Sequence, residues 1–213
     1  MTTLATPAPP VPLRIVAFAG SEFDAWLRHR QECGGDRRDE VWDGVYVVMP
    51  LANNDHQRLV GKLTSALANV PGVTVYPGCN VSDSRDDWMS NFRCPDVAVF
   101  LPGNPAEDRK THFLGGPDFA VEIVSKYDRS REKFEFYRRV GVRELLFIDR
   151  HPEWSLELYR CQEDQWILVG KNLPGSAEPL ISNVLPVSFR LHEDSPRSRI
   201  EITRLGTDEN DFA

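Results

Sequence analysis

Apolar residues recur along the chain with two different periods, which predict a mixture of helices and strands. Helical spacing predicts one helix that begins near Ser21 and a second that is capped by Asn53-Asn54. Asp43-Gly44 stands between two segments rich in β-branched and aromatic residues, a pattern typical of a tight hairpin. Short strands are predicted at 73–76 and 92–101.

The middle of the chain predicts a strand–helix–strand unit. Residues 118–125 are almost entirely apolar, as in a strand that is buried on both faces. A helix is predicted from about residue 128 to 140, ended by Gly141, and a second apolar strand at 144–149. Antiparallel strands are predicted to extend the same sheet at 155–160, 165–170 and 187–191. The predicted class is α/β or α+β, with one mixed sheet flanked by a few helices.

Length and composition predict one folded domain with tails. The chain has 213 residues, of which 41% are hydrophobic and 27% charged. We expect a proline-rich disordered tail at 1–12, a single domain at 13–191 and a polar, acidic C-terminal tail at 192–213. The longest apolar run has five residues against roughly 20 needed to cross a bilayer, and no signal-peptide pattern is present. A cytoplasmic protein without a membrane partner is expected, its four cysteines being free thiols.

Two carboxylates interrupt apolar strands. An ionised Glu122 inside the segment 118–125 is costly unless a partner or a cation compensates it. We interpret it as a functional acid, with a structural ion pair as the alternative. Asp96 follows Pro95 and shares a strand face with Ala98 and Phe100. For Asp96, a turn or cap role explains the pattern as well as a functional one.

Lys133 is a third polar residue at an apolar position. It precedes Tyr137 and Val140 by four and seven residues, which places it on the inward face of the predicted helix. A lysine that extends to solvent is the alternative. Two carboxylates and one ammonium are what metal-dependent phosphodiester hydrolysis requires. Hard oxygens hold Mg²⁺ or Mn²⁺, and the lysine orients a water or stabilises developing charge.

Charge is distributed unevenly. The net charge of −7 does not favour unspecific coating of nucleic acid. The segment 126–143, however, holds seven basic and three acidic residues. A basic helix beside the acids could receive phosphates, although a solvated helix face has the same composition.

Six motifs occur in an order that resembles a known family. They are Glu40-Val41-Trp42-Asp43-Gly44; His56; Arg93-Cys94-Pro95-Asp96-Val97-Ala98-Val99; Val121-Glu122-Ile123-Val124-Ser125; Asp128, Lys133 and Tyr137; and Gly141-Val142-Arg143-Glu144 with Ile148-Asp149. Their order resembles the putative restriction endonuclease family of the PD-(D/E)XK nuclease superfamily, over roughly residues 20 to 190.

The resemblance implies a restriction-endonuclease-like core in which Asp96 and Glu122 are metal ligands and catalytic residues. The superfamily's lysine normally stands two residues after the glutamate, where this chain has Val124. In this family the catalytic lysine looks displaced to the following helix, at Lys133. Lys126, where relatives often have proline, is a second possible lysine; it lies about 13 Å from Glu122 along an extended strand, so Lys133 is preferred.

Two further residues match recurrent family positions as possible accessory groups. Glu40 is an acid that completes the metal or water shell in this interpretation, and His56 has no assigned role. The resemblance implies a Mg²⁺-dependent (or Mn²⁺-dependent) DNA endonuclease, and a homodimer would let two symmetric sites cut both strands. The alternatives are a catalytically silent binding or regulatory module with the same fold, and a metal-dependent hydrolase of another phosphoester.

Overall fold

The computed structural model describes residues 21–49, 52–125, 129–194, 197–207 and 209–213. The chain divides into two compact units, Met1–Arg37 and Arg38–Ala213. The predicted proline-rich tail and the predicted domain start at residue 13 lie outside the described residues. In the first unit the described residues form the predicted helix, with acidic residues in its first turn and basic residues in its last, as favours a helix dipole.

The described residues form three α-helices and sixteen strands. The helices are α1 (Ser21–Glu32), α2 (Asn54–Ala68) and α3 (Phe134–Arg139). The strands are β1 (Glu40–Trp42), β2 (Val45–Val47), β3 (Thr74–Pro77), β4 (Val81–Ser82), β5 (Phe92–Arg93), β6 (Val97–Phe100), β7 (Glu107–Asp108), β8 (Phe113–Leu114), β9 (Phe119–Val124), β10 (Glu144–Asp149), β11 (Ser155–Gln162), β12 (Gln165–Asn172), β13 (Leu180–Ile181), β14 (Val187–His192), β15 (Arg199–Arg204) and β16 (Asn210–Phe212). No helix in this described part is both long and apolar enough to cross a bilayer.

A mixed six-stranded sheet forms the centre of the second unit, in the order β12-β11-β10-β9-β6-β3. β9 and β10 are parallel, with Glu122 beside Phe147, and the other pairs are antiparallel. The predicted strand–helix–strand unit and the predicted α/β class are therefore confirmed. The crossover differs in detail: Ser130–Lys133 form a 3₁₀ turn before α3 begins at Phe134.

α2 packs against the apolar face of the central sheet. Asn53 caps this helix by accepting the amide of His56 at 2.9 Å, as its sequence predicts. The helical stripe that includes Leu63 and Leu67 is fully buried against Val97 and neighbouring strand residues. The cap fixes the first turn of α2, so His56 faces inward, where it is 8% exposed.

The predicted hairpin is confirmed and belongs to a second six-stranded sheet, in the order β2-β1-β5-β4-β8-β7. Asp43 and Gly44 have φ values of 48° and 83°, as a two-residue turn of this type requires. The strand predicted at 92–101 is wrong in its continuity, because β5 belongs to this sheet and β6 to the central one. Pro95 lies at the break, since proline cannot donate to a strand ladder.

A third sheet holds the C-terminal strands in the order β13-β14-β15-β16. The prediction that residues 187–191 extend the central sheet is therefore wrong. The prediction of a frayed polar tail after residue 191 is also wrong for β15 and β16, which pair with each other and with β14. Ile200 and Ile202 point into the main core, and this burial holds the segment in place.

Candidate active site

Asp96 and Glu122 come together on neighbouring strands of the central sheet. Asp96 immediately precedes β6, and Glu122 is the fourth residue of β9, which pairs with β6. The amide of Ile123 donates to Asp96 Oδ2 at 2.8 Å. Both acids are buried, at 7% and 3% exposure, and both line one polar cavity of about 270 Å³. The two carboxylates, on neighbouring strands, thus belong to the lining of one cavity.

Lys133 reaches both the acid of β9 and an acid of the hairpin. Its Nζ donates to Glu40 Oε1 at 2.9 Å and to Glu122 Oε1 at 3.0 Å. The side chain is 1% exposed, so it does not extend to solvent. The ammonium thus contacts Glu122 directly. Lys126, the competing lysine, lies outside the described residues.

Glu122 is held by two further donors. The hydroxyl of Tyr137 donates to Oε1, and that of Ser130 donates to Oε2 at 3.2 Å. Tyr137 and Lys133 lie one helical turn apart in the segment that connects β9 to β10. The hydroxyl and the ammonium therefore come from the same side of this segment. Ser130 lies in the 3₁₀ turn, which brings it back over the end of β9.

Glu40 lies behind the ammonium. It is fully buried and is not among the residues that line the cavity. Its Oε1 accepts the amide of Cys94 at 2.8 Å as well as Lys133, and its Oε2 accepts Trp42 Nε1 at 2.6 Å. These contacts fit a residue that positions Lys133 better than one that binds a cation directly.

Asp96 is flanked by two cationic or potentially cationic side chains. Arg38 donates to Oδ1 at 2.9 Å, and His56 Nε2 lies 3.1 Å from the same oxygen. His56 Nδ1 is buried and has no hydrogen-bond partner among the described residues. Both side chains line the cavity with Asp96.

The two acids differ in their electrostatics. Burial raises the pKa of Glu122 to about 8, against the opposing effect of Lys133, with Asp96 and Glu40 adding to the increase. Burial also raises the pKa of Asp96, but the hydrogen bond and charge of His56, the Ile123 amide and Lys133 outweigh it and hold this pKa below its usual value. One carboxyl therefore keeps a proton near neutral pH, whereas the other is ionised.

Lys133 is charged despite its burial. Burial lowers the pKa of its ammonium, but Glu122 and Glu40 outweigh this effect and raise the pKa above its ordinary value. With both carboxylates ionised, this buried group of three carries a formal charge of −1. A proton on Glu122 makes this group neutral, in line with the raised pKa of Glu122 in its buried position.

The donor types at the cavity fit a hard divalent cation. Within the described ranges, no three His, Cys, Asp or Glu side chains converge as a preformed metal cage. Mg²⁺, however, commonly uses only one or two carboxylates together with water and substrate phosphates. Asp96 and Glu122 both face the cavity, and the raised pKa of Glu122 marks a carboxylate short of positive charge. A dication could supply that charge in place of the proton.

The basic segment 126–143 is largely neutralised where it is described. Its arginines form ion pairs within the crossover and with neighbouring loops and strands: Arg129 with Glu132, Arg131 with Glu157, Arg138 with Glu135, Arg139 with Asp83, and Arg143 with Asp118. The solvated-face interpretation of this segment is therefore the better one.

Two residues of the site were not predicted from the sequence. Arg38 lies in a run of mixed charges with no apolar period, so nothing in the pattern singles it out. Ser130 is one of several polar residues in a loop. Tyr137 was noted only as part of an inward face, although its spacing from Lys133 already placed it near the ammonium.

The comparison with known proteins identifies a family for the chain. No curated protein matches the chain. The family model Uma2, described as Putative restriction endonuclease, matches residues 21–193, which is most of the chain. The chain therefore belongs to the Uma2 family of putative restriction endonucleases, within the PD-(D/E)XK-like nuclease superfamily.

Proposed function

We propose that this protein is a Mg²⁺- or Mn²⁺-dependent endonuclease that hydrolyses phosphodiester bonds of DNA. The observation that carries the proposal is a buried ammonium shared by two carboxylates, beside a third carboxylate, at the wall of one polar cavity. Buried charges at this density are costly to maintain, and sites of chemistry are where such costs are usually found. The family supports nuclease chemistry in general.

Asp96 and Glu122 are the residues that would hold the cation. When bound, the cation would polarise the phosphodiester and acidify the attacking water. Arg38 and His56 orient the carboxylate of Asp96 from one side, and the Ile123 amide does so from the other. A carboxylate held on both oxygens keeps its position when substrate enters.

In this proposal, Lys133 interacts with the phosphate group that is being cleaved. Its charge is maintained by Glu40 and by both carboxylate oxygens of Glu122, and at the wall of the cavity this charge can stabilise the negative charge that develops on the phosphate. Glu40 is a positioning residue for this ammonium. Tyr137 similarly positions Glu122 through its hydroxyl.

Calorimetric titration with Mn²⁺ is the test of the metal site. We expect the wild type to bind and Asp96→Ala to lose binding, because one of two carboxylate ligands is removed. We also expect affinity to rise with pH up to about 8, because the proton on Glu122 must leave before its carboxylate can coordinate a cation. Cleavage of supercoiled plasmid DNA in Mg²⁺ should be lost in the same variant.

Glu144→Gln is the matched control. Glu144 is a fully buried glutamate on β10, at the opposite end of the strand from the cavity, where it pairs with Arg160. Its loss should leave Mn²⁺ affinity unchanged in the folded protein. Equal affinities for the wild type and Asp96→Ala would contradict the assignment of the metal ligands. Hydrolysis of a small phosphodiester without DNA cleavage would favour the alternative phosphoesterase.

A binding module without turnover is the second candidate. It is favoured by one observation: the carboxylate oxygens of Asp96 and Glu122 already accept protein donors. Lys133 and Arg38 thus compensate these acids without a metal. DNA binding without Mn²⁺ binding or cleavage would support this candidate.

A homodimer belongs to the same proposal. Two symmetric copies would present two cavities to the two DNA strands. The edge strand β12 of the central sheet supports this dimer. Its residues Ile167, Leu168 and Val169 are each at least 40% exposed. Exposed apolar edge strands are the usual places where sheets pair between chains.

A further inference from the structure

A second cavity adjoins the candidate active site. It has a volume of about 180 Å³, and it shares Asn53, Arg150 and His151 with the first cavity. Arg150 and His151 directly follow β10, at the carboxyl end of the parallel pair that also carries Glu122. Ligands of such sheets characteristically bind at this end of the strands. The two cavities are therefore neighbours that share part of their walls, and we call the second one the flanking cavity.

Basic side chains outnumber acidic ones in the lining of the flanking cavity, unlike in the chain as a whole. Arg58, Arg150 and Arg197 line it together with a single acidic side chain, that of Asp55. Arg197 is paired with Asp55. Arg58 and Arg150 form no ion pair within the described residues, and the Nε of Arg150 is buried without a hydrogen-bond partner. This contrasts with the paired arginines of the basic segment, so Arg58 and Arg150 are available to an anion at this cavity.

Trp154 gives the flanking cavity an aromatic wall. The side chain is half-buried and packs on the core through part of its surface, while it also lines the cavity. A fixed indole beside unpaired guanidinium groups can stack a base and receive its phosphate. An aliphatic or acidic ligand would use only half of this lining.

We propose that the flanking cavity binds the nucleotide next to the scissile phosphate, with the base against Trp154 and the phosphate on Arg58 and Arg150. This inference rests on the proposed nuclease function, because only a cleaved strand has a scissile phosphate. Bases inside a duplex are stacked and cannot lie against a side chain in this way. The substrate strand is therefore single-stranded or locally unstacked at this position.

Binding of fluorescein-labelled (dT)₈ in EDTA, followed by fluorescence anisotropy, tests the proposal without any need for hydrolysis. We expect Trp154→Ala to weaken binding by about tenfold or more, because one stacked base is lost. Arg58→Ala should lower the slope of log K against log salt by about 0.7, the change for one phosphate contact on a single strand. The wild type should bind (dT)₈ more tightly than the same strand in a blunt duplex.

Lys62→Ala is the matched control. Lys62 is an exposed cation on α2, one turn after Arg58, and it does not line the flanking cavity. Its loss should leave the affinity within twofold of the wild type. Because Trp154 also contacts the core, thermal melts must show that its variant is folded; Arg58 is exposed, so Arg58→Ala tests the subsite independently.

The results separate this proposal from the nuclease proposal. Wild-type affinity and salt slope in both cavity variants would overturn the subsite, even in a protein that cleaves DNA. A failure of the wild type to bind (dT)₈ would overturn it as well. Conversely, weaker binding by Trp154→Ala and Arg58→Ala supports the subsite even where Mn²⁺ titration gives no metal site.

Discussion

Lys133 buries its ammonium between Glu40 and Glu122, and all three residues are at most 3% exposed. The pairing explains how a cation can lie in a protein interior. It also makes the three residues interdependent, because removal of the one cation leaves buried carboxylates facing each other. An isolated lysine on a helix face would not have this effect.

Lys133→Met tests this dependence. We expect a loss of about 3–5 kcal/mol in the free energy of unfolding, the usual result when one partner of a buried pair is removed. Urea denaturation gives the measurement. Lys62→Met, at an exposed position on α2, should change the same quantity by no more than about 0.5 kcal/mol. Equal, small effects of both substitutions would contradict the buried-charge account.

The same variant bears on catalysis. In the fraction that remains folded, Lys133→Met should lose DNA cleavage and retain Mn²⁺ binding, because its two proposed ligands are still present. Lys126→Ala should leave cleavage intact if the displaced lysine is Lys133. Loss of cleavage in Lys126→Ala alone would assign the role to Lys126 instead.

The site residues that the sequence could predict share one property. Glu122 and Lys133 are charged residues at apolar positions, and a break in a local pattern is visible without a structure. Arg38 contacts Asp96 from 58 positions away, and it lies among other charges. No local pattern encodes such a contact, since it exists only after the hairpin approaches the central sheet.

At the scale of elements, strong local sequence signals were sufficient to predict turns and helix caps. They did not determine which sheet a strand joins. The Asp43-Gly44 turn and the Asn53 cap formed as predicted because neighbouring residues determine both. Pro95 interrupts the strand predicted at 92–101 and separates strands of two sheets. Which sheet a short strand joins depends on partners that are distant in the sequence.

β15 carries a signal that the polar composition of the C-terminal segment obscured. Ile200 and Ile202 alternate with polar residues, which is the period of a half-buried strand. Both side chains are at most 2% exposed. The segment is therefore part of the folded core, although its overall composition is that of a tail.

Ile202→Ala tests the contribution of this strand. We expect a loss of about 2–5 kcal/mol of stability, because the substitution removes buried methyl groups and leaves a cavity. Thermal or urea unfolding measures it. Leu205→Ala is the control, since Leu205 is 42% exposed just after the same strand and its truncation should have little effect. A wild-type stability for Ile202→Ala would mean that β15 contributes little to the core.

At the scale of the whole molecule, the exposed edge of the central sheet is the feature that supports self-association. β12 offers eight residues of backbone on its outer side, with three consecutive apolar side chains in the middle. If two copies pair antiparallel about Leu168, Lys171 of each lies opposite Gln165 of the other. That register avoids placing like charges together.

Sedimentation velocity tests the dimer. We expect the wild type to sediment as a dimer and Leu168→Lys to shift it to a monomer, because two ammonium groups would meet at the centre of the paired edges. Leu205→Lys places the same charge at an exposed leucine outside β12 and should leave the dimer intact. A monomeric wild type, or a dimer that survives Leu168→Lys, would contradict pairing through this edge.

The contact between Lys133 and Glu40 also has a consequence for folding. The two residues are 93 positions apart, and the ammonium connects the hairpin sheet to the crossover after β9. Contacts of such long sequence separation form slowly, because most of the intervening chain must be ordered first. A growing polypeptide cannot form this contact until at least residues 40 to 133 have been synthesised. The proposed active site would therefore reach its geometry late, after the hairpin and the crossover have both been made.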